Sequence, residues 1–164
     1  MRLRPGRRPP AKRGWQVTAV DFLDKALARA RQRAAQEGVE VQWIRADVGQ
    51  LGALGLKPGY NLLYDFGCIH GLPDSARPGA AAGLTGLAAP GATLLLLAFK
   101  AGRRFVLPRG MDKDDIVGLL GDDWRLEHSQ TVVTMPPPFR RANPTLYRFA
   151  RRTESATSPA SQAG

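Results

Sequence analysis

Between residues 15 and 151 short apolar runs alternate with stretches of helical period. Trp15-Gln16-Val17-Thr18-Ala19-Val20-Asp21 is β-rich, short and closed by an acid, the pattern of a buried parallel strand. Leu23, Ala26, Leu27, Ala30 and Ala34 then recur at helical spacing and draw one apolar stripe, with Lys25, Arg29, Arg31, Arg33 and Glu37 on the other faces and Gly38 placed to end the helix. Val39, Val41 and Trp43 alternate in a second strand over 39–45, followed by Asp47, and Leu51–Gly59 reads as a short helix or loop. Tyr60–Asp65 is a third strand that again ends on a carboxylate. Pro78–Ala89 predicts a helix burying Ala80, Leu84 and Leu87, although Gly79, Gly83 and Gly86 each weaken it by about 1 kcal/mol. Pro90-Gly91 turns the chain into Ala92–Phe99, apolar but for Thr93, as a strand covered on both faces requires.

After a Gly/Pro/Arg loop over 100–111, Asp112–Leu120 predicts a helix with Asp112, Asp114 and Asp115 at its positive end. Trp124–Val133 and Thr145–Arg151 predict two more strands, joined through the extended segment Met135-Pro136-Pro137-Pro138-Phe139. Strands alternating with helices at this spacing predict an α/β fold with a doubly wound, mostly parallel sheet, and the terminal pair of strands predicts an antiparallel C-terminal edge. The expected organisation is a basic, Pro-rich arm over 1–14, one domain over 15–152, and a disordered Ser/Ala/Thr tail over 153–164.

Composition narrows the function. The chain has 164 residues, enough for one core, and its longest apolar run is far short of the roughly 20 residues that cross a bilayer. The single cysteine, Cys68, excludes an intrachain disulfide and a Cys-based zinc site, and fits a reducing cytoplasm. The net charge of +10 is located at the ends: residues 1–14 carry six Lys and Arg without an acid, residues 139–152 carry five Arg, and residues 15–138 are balanced at thirteen of each sign. A basic arm of this kind contacts polyanions without sequence choice, but it lacks interleaved aromatics, and solvated basic termini are common. It has no apolar stretch behind its charges and is not a signal peptide.

The chemistry is expected where strands end. Asp21, Asp47 and Asp65 each close a strand, and in open α/β sheets the ligand lies outside the carboxyl ends of the strands. A carboxylate there is suited to accept both hydroxyl protons of a ribose; for Asp21 the structural alternative is a cap on the following helix. His70, near Asp65 and Cys68, is a candidate acid/base group, whereas Cys68 itself reads as a small buried hydrophobe. His128 reads as structural or solvated, the acids at 112–115 as helix-start residues, and Phe105, Leu107, Pro108 and Met111 as a loop able to cover an acceptor pocket. No metal site is expected.

Gly14–Asp21 with its Ala/Arg-rich helix, then Arg45-Ala46-Asp47, then Tyr60-Asn61-Leu62-Leu63-Tyr64-Asp65-Phe66-Gly67-Cys68-Ile69-His70-Gly71-Leu72-Pro73, together resemble a class I S-adenosylmethionine-dependent methyltransferase over roughly residues 14–152. The likeness is greatest to small bacterial enzymes similar to thiopurine and tellurite-resistance methyltransferases. The resemblance implies a Rossmann-like sheet, S-adenosylmethionine as cofactor and a small-molecule methyl acceptor. It implies a cofactor site made of Asp21 and Phe22 at the ribose, Asp47 and Val48 at the adenine, and Asp65 and Gly67 toward the methyl-transfer site, with His70 on the acceptor side. One feature of the family is missing: the opening strand and its Gly-x-Gly-x-Gly turn. Residues 1–14, with Pro5, Pro9, Pro10 and six positive charges, cannot supply a central parallel strand. The sheet is therefore expected to be N-terminally truncated, with the strands ending in Asp21 and Asp65 either direct neighbours or flanking a gap of about two strand spacings, near 10 Å. The expected cause is a truncated or frame-shifted reading of a complete gene. The expected result is weak cofactor binding, because nothing cradles the methionine part. The competing reading is a non-catalytic remnant or binding module whose basic arm contacts nucleic acid.

Overall fold

The apolar stripe of the first helical segment forms as α1 (Asp24–Gln36), which turns Leu27 inward and leaves its Arg and Lys residues in solvent. Gly38, at φ +61°, ends it: the Val39 N–H reaches back to the Ala34 carbonyl, a left-handed closure that glycine adopts without steric cost. The helix joins two short parallel strands, β1 (Thr18–Asp21) and β2 (Gln42–Arg45), paired Thr18 to Gln42 through Asp21 to Arg45. Our computed structural model describes residues 10–102, 108–136 and 139–153.

The remaining strands make a second sheet. β3 (Tyr60–Phe66) lies parallel to β4 (Ala88–Ala98), β4 antiparallel to β6 (Thr145–Arg151), and β6 antiparallel to β5 (Trp124–Thr131), in the order β3-β4-β6-β5. The reversed strand is the C-terminal one, as expected, and lies one place in from the edge that β5 forms. One face of this sheet carries Leu63, Leu94, Leu96, Tyr147 and Phe149, and is covered by α2 (Arg77–Leu87) and α3 (Lys113–Leu120) through Ala80, Ala81, Ile116 and Leu120. At Gly83 an added Cβ would stand 2.7 Å from the Leu51 side chain, so the glycines that lower helix propensity in α2 let the 3-10 segment Val48–Ala53 pack against its backbone. The Trp124 indole N–H donates to the Thr85 hydroxyl at 2.9 Å, tying α2 to β5.

Of the two arrangements expected for the strands ending in Asp21 and Asp65, the described residues show the gap. β1 and β3 run the same way, since their first residues meet, the Tyr60 hydroxyl donating to Thr18 Oγ1 at 2.9 Å, and both end at acids of one rim. No backbone pairing joins them, so the sheet is split in two. The Thr18 hydroxyl donates in turn to Gln42 Oε1 at 3.1 Å, and this side-chain relay from Tyr60 crosses the opening. Several boundaries differ from expectation. Strand pairing starts at Thr18 and at Gln42 rather than at Trp15 and Val39, and β4 reaches back to Ala88 because Ala88 stands in register with Tyr60, with Gly91 at φ +74° absorbing the irregularity. The basic arm lies outside the described residues up to residue 9, and Pro10–Arg13 form a 3-10 turn rather than a strand. Residues 154–164, the expected tail, also lie outside the described residues.

Candidate cofactor site

Asp21, Asp47 and Asp65 converge. They stand at the same end of β1, β2 and β3, and all three act on one group: the Cys68 thiol, pushed up to about 11 by burial first and then by the charges of Asp65, Asp21 and Asp47. A thiol so placed stays protonated near neutrality and is no nucleophile.

The three carboxylates are not equivalent. Asp21 accepts the Leu23 N–H at 2.8 Å through Oδ1, an Asx turn; helix α1 is capped by Leu23 instead, which corrects the expectation of an Asp21 helix cap. Asp47 is the N-cap of Val48–Ala53 and accepts the Gly49 N–H at 2.8 Å, again through Oδ1. In both, one oxygen fixes the carboxylate to its own loop and Oδ2 makes no hydrogen bond among the described residues. Asp47 is exposed and Asp21 half-buried, so each has an oxygen able to take a ligand hydroxyl or amine proton. Phe22, next to Asp21, is exposed, and Val48, next to Asp47, is half-buried.

Asp65 is turned inward. It is 7% exposed and spends both oxygens on the following turn, accepting the Cys68 N–H at 2.7 Å and the Ile69 N–H at 2.9 Å. Burial pushes its carboxyl above the usual range, while those two N–H groups and the charge of His70 pull the other way. Its structural work is to fold 65–69. Gly67 follows at φ +85°, where a Cβ would be strained and would stand 3.1 Å from His70 Cε1.

His70 lies inside. It is 2% exposed, its Nδ1 donates to the Leu97 carbonyl at 3.2 Å, and its ring lies 4.8 Å from that of Phe99. Its side chain is packed under the rim, beneath the 65–71 turn. Met111, expected in a covering loop, is buried in the core, where it also lines the cleft described below; Phe105 and Leu107 lie outside the described residues. Asp112 and Asp115 form the capping box of α3, as helix-start acids should. His128 is exposed on β5. Among the described residues no three His, Cys, Asp or Glu side chains gather closely enough to hold a metal ion.

Cavities open at both ends of the strands. A cleft of about 550 Å³ lies beyond the 65–71 turn, between α2, α3 and the chain after β4, lined by Asp74, Arg77, Gly110 and Met111 among others. The larger cavity, about 1450 Å³, opens at the opposite end of the strands, away from the acids.

The fold has known counterparts. A methyltransferase-domain family matches residues 8–91 of the chain. Among solved structures, the N-methyltransferase NodS from Bradyrhizobium japonicum, in complex with S-adenosylhomocysteine, is 19% identical with a TM-score of 0.68, over 83% of this chain and 66% of its own. The 1,6-didemethyltoxoflavin N1-methyltransferase of Burkholderia thailandensis, with its substrate and S-adenosylhomocysteine bound, is 23% identical with a TM-score of 0.65, over 87% of this chain and 64% of its own. A structure from echinomycin biosynthesis, described for converting a disulfide bond into a thioacetal group, is 21% identical with a TM-score of 0.68, over 88% and 70%. The chain thus spans about two thirds of the length of these proteins. No protein of curated function matches it in sequence.

Proposed function

Because this chain belongs to the class I S-adenosylmethionine-dependent methyltransferases, we propose that its acidic rim holds the nucleoside half of S-adenosylmethionine, for methyl transfer to a small molecule. The observation that carries the reading is the pairing of Asp21 and Asp47, each anchored through Oδ1 to its own loop with Oδ2 unengaged, at the ends of adjacent parallel strands. In this reading Asp21 accepts the ribose hydroxyl protons, the exposed Phe22 ring covers the nucleoside, and Asp47 with the Val48 N–H meets the adenine edge. Gly67 leaves backbone without a side chain at the turn that faces the methyl donor. Asp65 and His70 act as positioning residues: Asp65 gathers the N–H groups of Cys68 and Ile69, and His70 locks the turn to the end of β4 through Leu97.

The bound cofactor supplies an electrophilic methyl group; the chain's own contribution is to orient it, since proximity and alignment account for much of such a transfer. The cleft lined by Asp74, Arg77 and Met111 is the acceptor side of this reading, being at the same end of the sheet and across the 65–71 turn from the nucleoside. That one structural relative holds 1,6-didemethyltoxoflavin supports a small-molecule acceptor. The described residues fit the adenosine better than the methionine moiety, because among them no strand lies between β1 and β3, beside the latter.

The test is calorimetry with S-adenosylhomocysteine on the chain and on Asp21→Ala. The variant should bind at least about tenfold more weakly, the loss of one charge-assisted contact. Equal affinity would sink the assignment of Asp21.

A further inference from the structure

The cleft of about 550 Å³ between α2, α3 and the chain after β4 holds an unequal set of charges. Asp74 stands between two guanidinium groups: Arg77 Nη1 lies 2.8 Å from its Oδ1, and Arg109 Nη1 lies 3.7 Å from its Oδ2. The first contact is a hydrogen-bonded pair, and the second is too long to be one. Arg77 is the structural partner. Its side chain is only 15% exposed, and its second terminal nitrogen donates to the His70 carbonyl at 3.2 Å, tying α2 to the 65–71 turn. Arg109, from the other wall, is 77% exposed, and its guanidinium makes no hydrogen bond among the described residues. Its backbone is fixed all the same. The Gly102 N–H donates to the Arg109 carbonyl at 2.8 Å and the Met111 N–H to the Phe99 carbonyl at 2.9 Å, while Gly110, at φ +78°, leaves no room for a Cβ against the Lys100 carbonyl. A held backbone thus presents an unengaged guanidinium. The other carboxylate of the cleft, Asp115, turns back to the Asp112 N–H in the capping box of α3, and Pro78, Met111 and Leu119 supply apolar surface.

We propose that this cleft selects a small organic acid, whose carboxylate pairs with the Arg109 guanidinium and whose apolar body lies against Pro78, Met111 and Leu119. This rests on the methyl-transfer reading above and names the class of acceptor. The carboxylate is an anchor: no bond is made or broken at Arg109, and the methyl group goes to another atom of the acceptor. Shape argues for it, since a guanidinium presents two parallel N–H groups that match the two oxygens of a carboxylate. Charge argues for it too. Two guanidinium groups share the single carboxylate of Asp74, so this corner of the cleft is left with one positive charge, which one negative charge neutralises. A doubly charged phosphate is the poorer ligand, because Asp74 stands beside Arg109 and opposes the second charge. The cavity, at about 550 Å³, has the size of small-molecule sites. Arg109 is then the residue that sets specificity, and Arg77 the one that holds Asp74 back from it.

The probes are benzoate, its neutral isostere benzamide, and phenyl phosphate, each titrated into the full chain. Binding is followed by NMR at the amides of Gly102 and Gly110 and at the Met111 methyl group. Benzoate should give saturable shifts at all three, benzamide should bind about tenfold more weakly or worse for want of a charge-assisted pair, and phenyl phosphate should bind no tighter than benzoate. Arg109→Gln should weaken benzoate by about tenfold or more and leave benzamide unchanged. Arg109→Lys, which keeps the charge without the planar fork, should recover only part of the loss. The ranking of the three ligands on the unaltered chain decides even where a variant fails to fold. Equal binding of benzoate and benzamide, tighter binding of phenyl phosphate, undiminished benzoate binding by Arg109→Gln, or no response at these three groups would each overturn the proposal. No cofactor enters the test, so its outcome is separate from that of Asp21→Ala with S-adenosylhomocysteine.

Discussion

Cys68 sits where three carboxylates act together, and its chemistry reports on them. With its thiol pushed up to about 11, alkylation by iodoacetamide should be slow at neutral pH and rise with a midpoint near 11, well above an ordinary cysteine. Asp21→Asn and Asp47→Asn should each lower that midpoint, because each removes a negative charge that opposes the thiolate. A midpoint in the ordinary thiol range would mean that Cys68 is neither buried nor faced by the acids. Much of this rim could be read from residue order, since three acids closing three strands is a pattern in the chain itself. Even the inward turn of Asp65 was available, because it lies two residues after the core residue Leu63 and a strand alternates with period two. The burial of His70 was not. It depends on Phe99 and Leu97 of another strand, and no local spacing carries a contact across twenty-seven residues.

At the scale of elements, β4 is the frame on which the larger sheet hangs, parallel to β3 on one side and antiparallel to β6 on the other. Leu94 is fully buried in it, so Leu94→Ala should cost about 2–5 kcal/mol in urea denaturation, by transfer and cavity terms together. A loss below about 1 kcal/mol would contradict this packing. The strand was legible because an unbroken apolar run has only one comfortable place, with both faces covered. Strand ends were less so. Trp15 and Val39 carry strand-like patterns but find no ladder partner, and pairing, not propensity, decides where a strand begins. The glycines of α2 argued against a helix locally, and their value lay outside it, in the close approach of Leu51 and Gly52 to Gly83.

On the scale of the whole molecule, the described residues make two sheets rather than one, with β1 and β3 at the edges that meet. Among the described residues no strand pairs β1 with β3, and the Tyr60–Thr18 hydroxyl pair bridges them. The site proposed above, with acids placed for the nucleoside and no described strand beside the methionine part, makes a specific demand on affinity. The direct test is calorimetry of the 164-residue chain with adenosine and with S-adenosylhomocysteine, side by side. The account predicts weak binding of both, within about threefold of each other, which is under about 0.7 kcal/mol. Failure of both ligands to bind, or S-adenosylhomocysteine binding a hundredfold or more tighter than adenosine, would contradict it.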